Sequence, residues 1–230
     1  MRPAAKRCGS GREVRCARAG RQRATLLLVP SHRRALLHLR KADPVLARVI
    51  DQVGACRFAT TREGTHFDAV VRAIVYQQLS GKAAATILRR VHDVYGGKPP
   101  TARRLLATAD APLRAAGLSQ QKLGYLRDLA EQAVTRKLAF ARLDTLDDEA
   151  VVEALTRVKG VGRWTAQMFL MFRLGRLDIL PTGDLGIQNA VQRAWGLAER
   201  PPPVVVETLG AAWRPYATIA CWYLWRSLDP

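Results

Sequence analysis

The sequence has little cysteine and little histidine, with four residues of each among 230. The cysteines, at positions 8, 16, 56 and 221, include no pair with the spacing of zinc or iron–sulfur ligands, and the histidines form no ligand pattern. Scattered, unpaired cysteines are typical of proteins in a reducing, intracellular environment. We therefore expect neither a disulfide framework nor a zinc or iron–sulfur centre.

Acidic residues are also scarce, because 19 of them face 37 lysines and arginines and the formal net charge is +18. Such a charge favours a polyanionic partner, with nucleic acid first and an anionic membrane second. No hydrophobic run is long enough to span a bilayer, which makes the membrane the weaker alternative. With 48% hydrophobic residues the chain can bury a sizeable core. The composition therefore predicts a globular protein that binds nucleic acid.

The start of the chain is the most basic part, since 11 of the basic residues and only one acid, Glu13, lie in residues 1–40. A charged segment with little hydrophobic periodicity favours disorder, and we predict a disordered basic tail over 1–34. The apolar stretch 25–29 is too short for a secretory signal. An Arg-rich, acid-poor start is also found in organellar transit peptides. We expect a cytoplasmic, nucleoid-associated bacterial protein, with organellar or nuclear import as the alternative.

Beyond residue 34 the hydrophobic pattern is helical almost throughout, and no alternating strand pattern is present. Helices are predicted from Leu79 to Tyr95, over 185–195 and from about 215 to 227. Residues 199–207 (ERPPPVVVE) are predicted to be a stiff break between helices. The residues predicted to begin other helices are Thr65 with Asp68, Thr101, Asp110, Ser119, and Thr145 with Asp148. The fold class is therefore predicted to be all-α, with short connections.

The stretch LTRVKGVGRWTAQMFLMF, residues 155–172, breaks a helical pattern with two glycines and resumes it at once. Gly160 and Gly162 allow positive φ and close backbone approach. The amides of such a turn, at the start of a helix, form an anion site, to which Lys159 and Arg163 add positive charge. In a basic protein the simplest anion is a nucleic-acid phosphate. From these residues alone, a turn that binds nothing remains an alternative.

A carboxylate follows in LPTGDLGI, residues 180–187, where Asp184 stands between a turn and an apolar helical run. This position predicts a helix N-cap, and capping alone would explain the residue. A capping aspartate is also fixed in rotamer and stays ionised near the helix N-terminus, so a chemical role is compatible with the cap. Asp178 is the nearest rival carboxylate.

The hairpin and the Gly/Pro–Asp loop together resemble the HhH-GPD superfamily of DNA base-excision glycosylases, and within it the alkylpurine branch, DNA-3-methyladenine glycosylase II. The resemblance covers about 36–228 and is strong at 68–90, 155–190 and 211–226. It implies two helical lobes with a cleft between them. One lobe would combine 35–67 with 186–230. The other would span 68–185, with the helix-hairpin-helix at about 150–174 and the Gly/Pro–Asp loop at 180–185.

The resemblance also implies an activity: a monomeric enzyme that flips alkylated purines, such as 3-methyladenine and 7-methylguanine, out of double-stranded DNA and hydrolyses the N-glycosidic bond. Asp184 would stabilise the positive charge that develops on the deoxyribose. The base pocket would be formed by Trp164, Met168 and Tyr216. The residues that would fill the gap left by the flipped base are Gln78 and Leu79. The DNA phosphate would be held by Gly160, Val161, Gly162, Arg163 and Thr165.

No cofactor is required by this resemblance, although the family's hairpin holds a cation on main-chain carbonyls. The corresponding carbonyls belong to Thr156, Val158 and Val161, and the ion would be sodium, potassium or magnesium. Trp164 stands where the lyase-competent branch has a Schiff-base lysine, which implies a monofunctional enzyme that leaves an abasic site.

Two departures from the family pattern leave the substrate open. Met168 stands where some relatives have an aromatic pocket residue, and Ala217 follows Tyr216 where an arginine is common. A glycosylase for a deaminated or oxidised base is therefore an alternative. A catalytically silent DNA-binding module that uses the same hairpin is another.

Overall fold

The computed structural model describes residues 30–61 and 63–229, and within these ranges the chain forms helices, turns and irregular segments without a strand. The predicted all-α class is confirmed. No helix in these ranges is long and apolar enough to cross a membrane. The helices are α1 Pro30–Ala42, α2 Pro44–Val53, α3 His66–Tyr76, α4 Gly81–Val94, α5 Ala102–Ala107, α6 Asp110–Ala115, α7 Gln120–Val134, α8 Asp148–Thr156, α9 Arg163–Phe169, α10 Leu185–Trp195, α11 Pro203–Gly210 and α12 Ala217–Arg226. Short 3₁₀ segments cover Phe140–Thr145 and Ala211–Trp213, and a π-helical turn, Leu170–Leu174, continues α9.

The predicted basic tail lies mostly outside the described residues. Residues 1–29 are not described, whereas residues 30–34 belong to α1 rather than to a tail. His32 in this first part of α1 is buried, and its ring packs edge-on against Phe58 at 6.0 Å.

Most of the predicted helix starts are confirmed. Thr65 and Asp68 form a capping box, and the hydroxyls of Thr101 and Ser119 cap α5 and α7. The helix expected to open at Thr145 is an exception. It begins at Asp148, because Asp147 is the cap and its Oδ1 accepts the amide of Ala150 at 2.7 Å.

Two other expectations about element bounds are wrong. The segment 199–207 is not a continuous break, because α11 begins inside it at Pro203, and proline is compatible with the first turn of a helix. Leu79 lies before α4, whose cap is Ser80. Leu79 therefore belongs to the turn between α3 and α4, where its side chain is exposed.

The extensive helix–helix contacts fall into two groups. Helices α1, α2, α10, α11 and α12 pack on one another, and α3 to α9 form the second group. In the first group the indole of Trp213, fully buried, donates to Asp43 Oδ2 at 2.9 Å, and Asp43 in turn caps α2. A satisfied buried indole of this kind fixes the packing around it. The helices of the first group thus come from both ends of the described chain.

Arg173, in the π-helical turn, holds the segment between α2 and α3, which connects the two groups of helices. Its guanidinium donates to the carbonyls of Thr61, Glu63 and Gly64 at 2.7–2.9 Å, and its Nε donates to His66 Nδ1 at 3.0 Å. The amide of Thr61 returns a bond to the carbonyl of Phe172 at 2.8 Å. The connecting segment is therefore fixed along the π-helical turn.

Candidate active site

Asp184 stands at the N-terminus of α10, where the sequence predicts a cap. Its Oδ1 accepts the amide of Ile187 at 2.8 Å, which confirms the cap. The turn before it is closed by a bond from the Asp184 amide to the Pro181 carbonyl at 2.9 Å. The residue as a whole is only 8% exposed, so its side chain is held within the protein rather than in bulk water.

Two tryptophans hold the same carboxylate. Trp225 Nε1 donates to Oδ1 at 2.9 Å, and Trp164 Nε1 donates to Oδ2 at 2.6 Å. Together with the Ile187 amide, Oδ1 accepts two hydrogen bonds and Oδ2 accepts one. A carboxylate oxygen can accept two, so Oδ2 keeps a free acceptor position. All three partners are uncharged N–H groups. The negative charge of the carboxylate is therefore not neutralised by them and can act on a cationic group outside the protein.

Trp225 is not among the residues that the sequence predicts for the site, yet it contacts Asp184 directly. Its ring packs at a tilt of 31° against Phe172 at 6.0 Å, and its indole N–H orients Asp184. No local signal reveals this contact, because the two residues lie on different helices 41 positions apart. Gly186 makes the approach possible, since a Cβ there would lie 3.0 Å from both Asp184 Oδ1 and the Trp225 ring.

The hairpin lies between α8 and α9. Gly160 has φ +79°, as predicted, and a Cβ there would lie 2.2 Å from the Tyr125 ring. Gly162 does not need a positive φ, and that expectation is wrong. It is the N-cap of α9 with φ −92° and open space around it. No side chain caps α9 at Gly162, so the amides of the first turn stay available to an anion.

Beside this hairpin lies the turn that carries Gln78 and Leu79, the predicted wedge residues that would fill the gap left by a flipped base. Gln77 Nε2 donates to the carbonyl of Gly160 at 2.8 Å. Gln78 follows with φ +56°, a left-handed conformation that is uncommon for any residue other than glycine, and its side chain is exposed. The two elements that the resemblance assigns to DNA therefore face solvent side by side.

Comparison with known proteins connects this geometry to a family. Residues 71–215 match the model of the HhH-GPD superfamily of base excision DNA repair proteins. The chain belongs to this superfamily. The alkylbase DNA glycosidase-like protein mag2 of Schizosaccharomyces pombe is 31% identical over 85% of this chain and 93% of its own length.

Solved structures agree with the sequence match. The 3-methyladenine DNA glycosylase of Schizosaccharomyces pombe, solved in complex with abasic DNA, is 31% identical with a TM-score of 0.74, over 84% of this chain and 95% of that chain. The DNA-3-methyladenine glycosidase of Bacillus halodurans is 38% identical with a TM-score of 0.76, over 83% and 87% of the two chains. The predicted membership of the HhH-GPD superfamily is confirmed.

In this HhH-GPD protein a cavity of about 500 Å³ lies along α3, α9 and the π-helical turn. Met168 and Thr165, both predicted site residues, line it together with Tyr76 and Phe172. Phe172 connects the cavity to the carboxylate, because it packs on Trp225. Asp184 is therefore linked to the cavity wall through two aromatic rings.

The other two predicted pocket residues do not line this cavity. Trp164 directly precedes Thr165, which lines the cavity. The indole N–H of Trp164 donates to Asp184, and half of the residue's surface is exposed (50%). Tyr216 is at the N-terminus of α12, where its ring packs edge-on against His38 at 5.5 Å. The structure thus brings Trp164 and Asp184 into contact and places Met168 one helical turn further along α9.

Three of the charged side chains around the cavity are held by contacts within the protein. Arg72 lies over the Tyr76 ring at 4.4 Å, Asp68 belongs to the capping box of α3, and Arg173 holds the connecting segment. The cavity surface is accordingly mostly apolar. Such a surface favours a ligand that binds by apolar or stacking contacts.

Arg163, a predicted phosphate ligand, is paired with Glu149 in this structure. Its two terminal nitrogens donate to the two carboxylate oxygens at 2.6 and 2.7 Å. The pairing lowers the pKa of the Glu149 carboxyl and raises the pKa of the Arg163 guanidinium. A phosphate at the hairpin would have to share the Arg163 guanidinium with Glu149 or displace the Glu149 carboxylate from it.

The predicted carbonyl ligands of a cation flank the hairpin turn. The Val158 carbonyl accepts the Val161 amide at 3.0 Å and keeps a second lone pair. Among the described residues, no group of three or more His, Cys, Asp or Glu side chains could hold a metal. The donors at the hairpin are thus main-chain oxygens, which suit a hard cation.

Cys221 packs close to the carboxylate but is not suited to act as a nucleophile. Its side chain is fully buried, and burial, followed by the charge of Asp184, raises the pKa of the thiol far above its usual value. The thiolate is the reactive form of cysteine, so this thiol remains inert. Cys221 is therefore not a candidate for the reactive group beside Asp184.

The indole of Trp225 provides a first test of this geometry. Trp225→Phe keeps an aromatic ring against Phe172 but removes the donor to Oδ1, so we expect about a tenfold loss of turnover with little loss of stability. The control is Trp222→Phe, whose ring packs edge-on against Tyr223 at 4.9 Å. Single-turnover base release and thermal unfolding of both variants measure the effect. Wild-type turnover in Trp225→Phe would reduce the residue to a packing role.

Proposed function

We propose that the protein is a monofunctional DNA glycosylase that removes alkylated purines, such as 3-methyladenine and 7-methylguanine, from double-stranded DNA. One observation carries the proposal. The carboxylate of Asp184 is buried, held by three N–H donors and left with a free acceptor position on Oδ2. The similarity to proteins named as 3-methyladenine glycosylases supports the choice of substrate.

The charge of an alkylated purine suits this site. A cationic base stacks favourably on an indole face, and Trp164 has half of its surface free while its N–H stays on Asp184. The apolar cavity beside it offers few hydrogen-bonding groups to read a base edge. Selection would then depend on the positive charge of the base and on how readily it leaves.

The reaction follows from the same arrangement. The N-glycosidic bond breaks, its electron pair goes to the cationic base, and the base leaves as a neutral molecule. The positive charge passes to the deoxyribose, where the Asp184 carboxylate stabilises it. Water adds to the sugar carbon and gives up its proton to the carboxylate or to solvent. The products are a free base and an abasic site in an intact strand.

A strand-cleaving lyase step is not part of the proposal. It needs a lysine amine that forms a Schiff base with the sugar, and Trp164 occupies the position at which the resemblance expects that lysine. Lys159 lies on the other side of the glycines, where its amide donates to Asp128 Oδ2 at 2.8 Å. The abasic product would persist until another enzyme or alkali cleaves the strand.

Double-stranded DNA is the proposed partner, and the protein would act on it as a monomer wherever the cell keeps its DNA. Phosphate would be held by the amides of Gly160 and Gly162, by Thr165, and by Arg163 once it is released from Glu149. The Val161 amide, also predicted for this role, already donates to the Val158 carbonyl. Gln78, with Leu79 beside it, would fill the gap left by the flipped base. A sodium, potassium or magnesium ion on the carbonyls of Thr156, Val158 and Val161 would stiffen the hairpin.

A lesion panel tests the proposal. Duplexes that each contain one alkylated purine, one deaminated base or one oxidised base are incubated with the protein, and strand cleavage is measured with and without alkali. We expect cleavage of the alkylated duplex alone, and only after alkali. Cleavage at a deaminated or oxidised base would identify a glycosylase of different specificity. Binding without base release from any duplex would indicate a DNA-binding module.

A further inference from the structure

One face of α7 contacts both of the elements proposed to engage DNA. Lys122 lies at its start, with Nζ donating to the carbonyls of Val75 and Gln77 at 2.7 and 2.6 Å. These are carbonyls at the C-terminus of α3, which have no partner within the helix and favour a positive charge. Burial lowers the pKa of Lys122, consistent with an amine drawn partly out of solvent.

The turn held by Lys122 is the one that carries the wedge residues. Gln78 immediately follows the second of the two bonded carbonyls, and its φ of +56° is unfavourable for a glutamine. Such a conformation persists only where its surroundings impose it. Lys122 fixes the backbone before Gln78, and the Gln77 side chain fixes the same turn to the Gly160 carbonyl at 2.8 Å.

The same face of α7 then meets the hairpin. The Tyr125 ring lies against Gly160 closely enough to exclude a Cβ. One turn further on, Asp128 Oδ2 accepts the amide of Lys159 at 2.8 Å, and Gln132 Nε2 donates to the carbonyl of Arg157 at 2.9 Å. Residues spaced by three or four positions lie on one side of a helix. The hairpin and the turn that carries the wedge residues are thus both held by contacts with the same helix, α7.

We infer that α7 is the positioning helix of base flipping, and that Lys122 is its decisive residue. Lys122 touches neither the base nor the sugar. It holds the wedge turn at a fixed place relative to the hairpin, so that binding of phosphate at the hairpin places Gln78 against the base stack. Insertion of the wedge and binding of the DNA backbone then occur as one step. The inference builds on the proposed function through the roles of the hairpin and of Gln78.

The test uses Lys122→Met, which keeps the length of the side chain and removes its donors. Wedge insertion is measured by the fluorescence of 2-aminopurine placed opposite an abasic analogue in a duplex. We expect insertion by Lys122→Met to fall about tenfold or more below wild type, because two charge-assisted hydrogen bonds are lost. Affinity for undamaged duplex should change less than about threefold, since the hairpin amides remain. A general loss of structure would instead lower both quantities.

Three further variants complete the design. Lys122→Arg restores a donor and should recover part of the insertion, while Lys41→Met, an exposed residue at the end of α1, should match wild type. Gln77→Met removes only the bridge to Gly160 and should lower insertion several-fold, even where Lys122→Met fails to fold.

The possible results separate the inference from the proposed function. Wild-type insertion by Lys122→Met overturns the inference, as does wild-type insertion by Gln77→Met where Lys122→Met is unfolded. A wild-type protein that inserts its wedge but releases no base would remove the proposed function and, with insertion lost in Lys122→Met, support the inference. A wild-type protein that inserts nothing would overturn the inference as well.

Discussion

Replacing Asp184 with Asn is expected to lower the single-turnover rate of alkylpurine release by a factor of about 10²–10³, because the charge that stabilises the cationic sugar is removed. The protein should remain folded. Asparagine caps helices about as well as aspartate, and its oxygen can still accept the Ile187 amide and the Trp225 indole. The amide NH₂ would face the Trp164 donor, but that ring is half exposed and has room to move.

The matched control is Asp178→Asn, the neighbouring carboxylate that the sequence offers as a rival. Asp178 pairs with Arg214 at 3.2 Å and accepts the amide of Ala217 at 3.4 Å, so its role is to hold the start of α12. We expect that variant to excise within a few-fold of wild type. Rapid excision by a well-folded Asp184→Asn protein, or a larger loss in Asp178→Asn, would remove Asp184 from the reaction.

Replacing Gly160 with Ala is expected to destabilise the protein by several kcal/mol and to weaken its binding of DNA. The left-handed backbone at φ +79° is unfavourable by about 1–2 kcal/mol for a residue with a Cβ. The new Cβ would also lie 2.2 Å from the Tyr125 ring, and overpacking of this kind adds about 1–3 kcal/mol. Because Tyr125 lies on α7 and the Gly160 carbonyl holds Gln77, DNA binding should fall together with stability.

Gly162→Ala provides the control two residues away. Gly162 has φ −92° and open space at the position of a Cβ, so alanine fits there without strain. Urea unfolding of the two variants should therefore differ clearly, with the stability of Gly162→Ala close to wild type. Equal stability of the two variants would contradict the described packing of the hairpin on α7.

The features that could be predicted from the sequence are those set by residues close together in the chain. The capping box of Thr65 and Asp68, the cap of α7 at Ser119 and the position of Asp184 before α10 all depend on a side chain and an amide within three residues. The helix over 185–195 follows from the same local signals. Residue patterns of this length also carry the resemblance to the superfamily.

The features that could not be predicted depend on tertiary contacts. The indole of Trp225 on Asp184, the pairing of Arg163 with Glu149 and the support of the wedge turn by Lys122 join residues that are 14 to 47 positions apart. Competition between neighbouring caps explains the error at Thr145, because its hydroxyl bonds back to the Arg142 carbonyl and leaves Asp147 to cap α8. The sequence also predicts a positive φ at Gly162, but its φ of −92° is one that any residue can adopt, and the residue type alone does not reveal this.

The role of Asp184 is tested most directly by measuring the free base released from methylated duplex DNA by the wild-type protein and by Asp184→Asn in parallel. We expect free 3-methyladenine and 7-methylguanine from the wild type alone, with strands that stay intact until they are treated with alkali. Base release by both proteins at similar rates would contradict the role of the carboxylate. Strand breaks without alkali would contradict a purely hydrolytic reaction.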